Sequence, residues 1–282
     1  MNEDEPQGPR RPHNDNRRPG EPAVAVPKRQ IVDDFIMGIR FFSRLPSGDR
    51  PHEKPDLTRI AMALPFASLV IGVAPAAVLL GASLIGLPRL FAAGLAIAAA
   101  IVVTGAMAED AIADAADGLF GGSTRERRLE IMKDSRHGTY GVAALCLSLL
   151  LRAAALAALA EIQPVAAAAV WLAATLMARS ASMWLTVALP PARPDGLSAS
   201  VGRVTQPAFF MGALFAVILG LVIAAPSAGL AGLIFVVVLI AAITWAWSDL
   251  CRRLVGGQTG DLIGALQAIL EIAALGAFLL FV

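Results

Sequence analysis

Charge is scarce in this chain. Only 16% of its 282 residues are Asp, Glu, Lys or Arg, and 57% are apolar, whereas an ordinary soluble domain carries about 25% charged residues. Mean hydropathy is +0.68. That shortage argues against a soluble domain and for a chain that lives in lipid. An excess of one sign is missing as well. The net charge of +1 gives no basic surplus of the kind nucleic-acid binding requires, so no nucleic-acid partner is expected. Cysteine is nearly absent. Cys146 and Cys251 lie in or beside apolar segments without ligand-like spacing, which disfavours a disulfide or a zinc site and leaves two buried small hydrophobes. No apolar core follows a short basic start, so no secretory signal peptide is expected. Residues 1–30 are rich in Pro, Arg, Asn, Asp and Glu, with almost nothing to bury, and read as a disordered polar tail ahead of a domain over 31–282.

What is abundant is apolar sequence in long runs. Crossing about 30 Å of hydrocarbon takes roughly 20 residues of helix. Seven segments qualify: 61–86, 88–108, 139–160, 164–189, 207–225, 228–248 and 262–282. The expected fold is therefore all-α, a polytopic integral membrane protein of about seven transmembrane helices with amphipathic helices and loops on one side. Ile31 to Phe42 is too short and too charged to span, and its helical spacing of apolar residues suits a helix in the membrane interface or one packed against the bundle.

Lys and Arg alternate between the two sides. Arg40, Arg44, Arg50, Lys54 and Arg59 precede the first span. Arg125, Arg127, Arg128, Lys133 and Arg136 separate the second and third, Arg193 and Arg203 the fourth and fifth, and Arg252 and Arg253 the last two. The other connections carry Arg89, Glu161 or no charge. The positive-inside rule then places the N-terminus and the long loops in the cytoplasm and the C-terminus outside. Functional groups concentrate on loops held by a rigid scaffold, so the site is expected on the cytoplasmic side.

One stretch stands out there: E-D-A-I-A-D-A-A-D-G-L-F-G-G, Glu109 to Gly122. At about 100° per residue, Asp110, Asp114 and Asp117 share one helical stripe and Glu109 points away from it. Like charges so arranged repel, strongly so beside lipid. Protonation relieves the repulsion, and so does a hard cation such as Mg²⁺, which is commonly held by one or two carboxylates together with substrate phosphates. The plainer alternative is a solvated helix end. Gly118, Gly121 and Gly122 are expected to end this helix, and Ser123-Thr-Arg-Glu126 reads as a capping box for the next. The turn Lys133-Asp134-Ser135-Arg136-His137-Gly138 follows. Its Lys133 and Arg136 suit either phosphate oxygens or membrane anchoring. Gly256-Gly257-Gln258-Thr259-Gly260-Asp261 suits a loop whose amides approach an anion, with Asp261 as a metal ligand or as the cap of the last helix. Arg152 and Arg179 fall inside spans, where each needs a partner or a wet cavity.

These stretches together resemble the cobalamin synthase (adenosylcobinamide-GDP ribazoletransferase) family. The resemblance is carried by Thr104–Gly122, by R-R-L-E-I-M-K-D-S-R-H-G-T-Y-G over Arg127–Gly141, by F-F-S-R-L-P at Phe41–Pro46, by A-R-P-D-G-L at Ala192–Leu197, and by G-G-Q-T-G-D-L-I-G-A at Gly256–Ala265. It runs from about residue 31 to the end. It implies a Mg²⁺-dependent, multi-pass transferase of the bacterial inner membrane. That enzyme joins α-ribazole or its 5′-phosphate to adenosylcobinamide-GDP, releasing GMP and forming adenosylcobalamin or its phosphate. By the same resemblance Asp110, Asp114 and Asp117 hold the metal and act in catalysis with Lys133 and Arg136. Asp134, Ser135, Arg193, Gly256, Gly257, Thr259, Gly260 and Asp261 contact substrate. Other late corrinoid-pathway enzymes and a second copy of the chain are further partners it allows.

Two positions depart from the resembled pattern. Ala108 stands where it has His, and Ala111 where it has Gly, which makes His137 either a candidate stand-in or simply a solvated loop residue. Two rivals fit less well. A CDP-alcohol phosphotransferase pattern places an Arg after its Asp-Gly pair, whereas Leu119-Phe120-Gly121-Gly122 follows Asp117-Gly118 here. A transporter more commonly has midplane polar groups and repeated halves, and here the acids crowd one edge without an internal repeat.

Overall fold

Asp56 starts the first long helix. Its carboxylate accepts from the amides of Thr58 and Arg59 at 2.9 and 3.3 Å, filling two of the donors that a helix start leaves open. Similar local reasons set the other boundaries in the computed structural model, which describes residues 31–48, 55–134, 136–194 and 201–282. The tail expected over 1–30 lies outside them, as do Arg50, Lys54, Ser135 and Asp195. The helices are α1 (Ile31–Phe42), α2 (Leu57–Leu84), α3 (Arg89–Thr104), α4 (Met107–Gly121), α5 (Arg125–Ile131), α6 (Thr139–Ile162), α7 (Pro164–Ser182), α8 (Trp184–Ala188), α9 (Gln206–Leu254) and α10 (Gly260–Phe278). Among the described residues no strand forms. A lone parallel bridge joins Pro191 and Gln258.

The all-α, multi-pass architecture follows the expectation. Five helices or helix pairs are long and apolar enough to cross a membrane by themselves: α2, α6, α7 with α8, α9 and α10. The spans expected at 207–225 and 228–248 form the single 49-residue α9, broken at Gly229 (φ 68°, ψ 173°). The break is a reversal. A Cβ on Gly220 would stand 3.5 Å from Leu233 Cδ1, although thirteen residues of unbroken helix cover about 20 Å. α9 is therefore two spans folded against each other, and the left-handed φ at Gly229 is one that glycine adopts without strain.

The segment expected to span at 88–108 behaves differently. α3 stops at Thr104, the chain passes through left-handed conformations at Gly105 and Ala106, and α4 leaves at 89° to α3. The acidic stretch is thus the separate arm of a broken span. Counting α3–α4 once and α9 twice recovers seven crossings among the described residues.

α7 occupies the centre of the bundle, packed against α2, α9 and α10. Its run of alanines (Ala166, Ala167, Ala173, Ala174 and Ala178 are all buried) lets backbones approach closely, as small residues do between membrane helices. α6 and α9 show large apolar side chains outward, among them Leu147, Leu150, Val222, Val238 and Trp245. Outside a bilayer such a belt would be a severe liability; within one it is the solvent-facing side. Cys251 is buried as expected, whereas Cys146 lies on the outward face of α6, and both are free thiols. α1 packs on α2, with Gly38 against Ala67 and Asp34 against Arg59 at 2.6 Å.

Candidate active site

α4 is held along its length by groups on α6 and α10. At its C-terminal end Asp117 turns its carboxylate to the start of α6, accepting from the amides of Gly138 (2.6 Å) and Gly141 (2.8 Å). A carboxylate at a helix N-terminus satisfies open donors and the helix dipole together. The contact explains both glycines: a Cβ on Gly138 or Gly141 would collide with Asp117. On the opposite face, Glu109 reaches Arg152 at 2.6 Å, and Arg152 also meets Glu271 at 3.1 Å. Trp171 Nε1 donates to the same Glu271 oxygen at 2.8 Å. This buried cluster provides the partner that Arg152 requires inside a span.

Asp110 and Asp114 keep the stripe. Asp110 is exposed and Asp114 half-buried. Asp110, Asp117 and Asp261 all act on Asp114 as like charges, and His137 as the opposing one. His137 Nδ1 lies 3.6 Å from Asp114 Oδ1. Asp261 comes from the first turn of α10, where Thr259, not Asp261, is the cap: its hydroxyl accepts from Leu262 N at 3.2 Å. Asp261 instead meets Arg193 at 3.4 Å and the Thr259 hydroxyl at 3.3 Å. Asp110, Asp114 and Asp261, two from α4 and one from α10, are therefore the acids at this edge that, among the described residues, lack the pair of amide hydrogen bonds fixing Asp117.

Two cavities flank α4. The first, about 770 Å³, opens between α1, the α3–α4 bend and the start of α10; Asp110, Ala108, Gly260 and Asp261 lie on it with Phe41, Phe42, Met107 and Arg179. The second, about 730 Å³, is lined by Asp117, Arg127, Lys133, Asp134, Arg136 and Tyr140. The first is largely apolar; the second is charged, with Arg127, Lys133 and Arg136 set among Asp117, Glu130 and Asp134. The Arg136 guanidinium hydrogen-bonds Asp134 at 2.7 Å and holds that carboxyl down to about 2 from its ordinary 3.8, so the pair is ionised at neutral pH.

Several sequence motifs turn out to fasten the site. The A-R-P-D-G-L and G-G-Q-T-G-D stretches meet through Ala192 N to Gln258 O (2.8 Å) and Gln258 N to Pro190 O (2.9 Å). Gly257 is needed there because a Cβ would fall within 3.0 Å of the Pro190 carbonyl and the Ala192 backbone. The amides of Gly256 and Gln258 are spent on protein carbonyls, so they do not form the anion-binding nest that the glycines suggested. Arg125 donates to Ala192 O, Arg128 to Leu119 O and Leu254 O, and Arg193 to Leu129 O. These cations clamp α5 over the site. α5 starts on Thr124, whose hydroxyl accepts from Arg127 N, one residue later than the capping box implied. Gly118 continues α4 instead of ending it, leaving room for Met132 and the Arg128 carbonyl.

The model of the family described as cobalamin-5-phosphate synthase matches residues 34–279. The chain belongs to that family. Relatives named adenosylcobinamide-GDP ribazoletransferase include one from Azorhizobium caulinodans, 44% identical over 256 residues (89% of this chain and 97% of the relative). One from Xanthobacter autotrophicus is 45% identical over 267 residues (89% and 97%), and one from Mesorhizobium japonicum 40% over 254 (90% and 95%). No solved structure matches.

Among the described residues, no three His, Cys, Asp or Glu side chains are already gathered as a metal cage. A cobalamin-5-phosphate synthase site does not require one if substrate phosphates complete the shell. Asp110 and Asp114, one helical turn apart, fit that kind of half-site. Sequence reasoning marked Arg152 and Arg179 as needing a partner or a wet cavity but missed the Glu109–Arg152–Glu271–Trp171 cluster; Arg179 lies on the larger cavity. Unusual charge inside a span was the available signal for both arginines, but sequence spacing does not reveal which acids they meet.

Proposed function

We propose that this chain is an adenosylcobinamide-GDP ribazoletransferase whose chemistry takes place on the Asp110–Asp114 edge of α4. The carrying observation is that this acidic edge lies between an apolar chamber reached by Asp110 and a charged cleft, reached by Asp117, that holds Lys133 and Arg136. Two unlike substrates can thus be brought to one helix: the nucleotide end of adenosylcobinamide-GDP toward Lys133 and Arg136, and α-ribazole or its phosphate toward the apolar chamber. The names of the relatives support the same substrates.

Asp110 and Asp114 would hold Mg²⁺, with Asp261 facing them; Asp117 backs the site by fixing α4 to α6. Bound there, the ion would offset charge on the pyrophosphate. The residues supply the rest. Lys133 and Arg136 offset charge on the leaving phosphate, since phosphoryl transfer depends mainly on positioning and on stabilising charge. Asp261, on the chamber side, takes the proton from the attacking ribazole hydroxyl. That oxygen forms a bond to the phosphorus carrying adenosylcobinamide, the bond from that phosphorus to the bridging oxygen breaks, and GMP leaves. His137, 3.6 Å from Asp114, would do the work expected of the His that Ala108 replaces. The basic loops and the N-terminus face the cytoplasm and the C-terminus the outside, with seven spans.

The deciding experiment is GMP release by purified protein with both substrates and Mg²⁺. Wild type turns over, and Asp114→Asn loses at least about a hundredfold in kcat, the size of effect typical of removing one charge-handling group, while still inserting in the membrane. Near-normal turnover in Asp114→Asn rejects the assignment of this edge.

A further inference from the structure

The apolar chamber holds a cation that the mechanism above does not use. Arg179 lies near the end of α7 and is only 2% exposed, yet it lines the 770 Å³ chamber. Its Nε and Nη1 are buried with no hydrogen-bond partner. Its guanidinium carbon stands 5.8 Å from the centre of the Phe42 ring. Glu109 and Glu271 are the acids that act on it; each bonds to Arg152 through Oε1 and Glu271 also to Trp171, and although Glu109 Oε2 is buried without a partner, it makes no hydrogen bond to Arg179 Nε or Nη1. Buried guanidinium donors are normally paired, and leaving them unpaired is expensive. A planar, forked donor set of this kind matches a phosphate or a carboxylate.

The chamber around it selects further. Met37, Phe41, Phe42 and Met183 give it apolar walls; its acidic groups are Asp33, Asp110 and Asp261, and Arg40 lines it as well. A ligand suited to both features has an apolar, flat body, a hydroxyl for the acids, and an anionic group for Arg179. Resting on the transferase function proposed above, we propose that Arg179 is a specificity-determining residue for the acceptor: it binds the 5′-phosphate of α-ribazole 5′-phosphate. The ribose hydroxyl is then left toward the acids, and the base lies among the methionine and phenylalanine side chains. The chemistry recognised is a phosphate monoester on an apolar body, which a phospholipid headgroup also offers, so the test separates the two sources.

The full chain is reconstituted in nanodiscs of phosphatidylcholine alone, and GMP release is measured against α-ribazole and α-ribazole 5′-phosphate. Wild type shows a KM at least tenfold lower for the phosphate. In Arg179→Met that ratio falls to near one, and in Arg179→Lys part of it remains. An unchanged ratio, or equal rises in both KM values, overturns the assignment. A second measurement needs no variant: α-ribazole 5′-phosphate raises the melting midpoint of wild type more than α-ribazole does, and inorganic phosphate removes the difference. Equal protection by the two acceptors overturns the proposal. Arg179-dependent stimulation by added phosphatidic acid, with no preference between acceptors, gives the site to a lipid headgroup and overturns it too. If wild type releases no GMP with either acceptor, the transferase reading fails instead, while the melting shifts still report the phosphate preference.

Discussion

Asp110, Asp114 and Asp117 carry the same side chain on one stripe, yet their surroundings give them different work. Asp117 is fixed by two amide hydrogen bonds from α6, whereas Asp110 and Asp114 face other acids. Hydrogen bonds to a charged group contribute about 1.5–3 kcal/mol each when both partners are buried. Asp117→Asn retains at most part of this pairing and is expected to lower stability by about 2–3 kcal/mol, read as a fall in the melting midpoint in detergent. Asp114→Asn should leave that midpoint unchanged or raised, because it removes a repulsive charge. The two substitutions therefore separate in opposite directions: one in stability, the other in turnover. A common loss of stability would show that both acids are structural.

Among the elements, α5 and the two loops it covers decide whether the site is assembled. Gly257 has no room for a side chain beside Pro190 and Ala192, and that contact sets the Ala192–Gln258 pairing from which Arg193 reaches Asp261. Gly257→Ala forces these backbones apart. Overpacking of this kind costs about 1–3 kcal/mol, and the displaced Arg193–Asp261 pair should lower kcat at least tenfold with membrane insertion intact. Equal activity and melting midpoint would mean that the loop pairing has no part in assembling the site. The 89° bend between α3 and α4 acts at the same scale, since it turns an acid-bearing helix off the line of a span and sets it against α6 and α10.

For the whole molecule, the buried charges tie the bundle together. Arg152 on α6 joins Glu109 on α4 to Glu271 on α10, linking the broken span to two others. Removing one member of a buried ion pair costs about 3–5 kcal/mol because the remaining charge is stranded. Arg152→Met strands two carboxylates, so it should destabilise by at least that much, measured by unfolding in detergent; a midpoint within error of wild type would show that water reaches the cluster. Orientation is tested in a Cys146→Ser, Cys251→Ser background. A membrane-impermeant maleimide should label Glu161→Cys in intact cells and label Arg127→Cys only after lysis. The reverse pattern would invert the topology.

The sequence by itself determined the class of the molecule, since shortage of charge and runs of about 20 apolar residues leave few alternatives to a helical bundle in a bilayer. It also fixed the acidic stripe, because helical periodicity places Asp110, Asp114 and Asp117 together and sends Glu109 elsewhere. Tertiary structure alone decided the partners of each charge. Nothing within the stripe says that Asp117 meets α6 or that Asp261 arrives from α10, nor that Gly257 sits against the Pro190 and Ala192 backbone. Residues 109, 152 and 271 meet because three helices pack at particular heights and rotations. Local periodicity governs which face a residue takes, whereas its partner depends on packing between segments far apart in the chain, which is why function hinged on contacts that no single stretch contains.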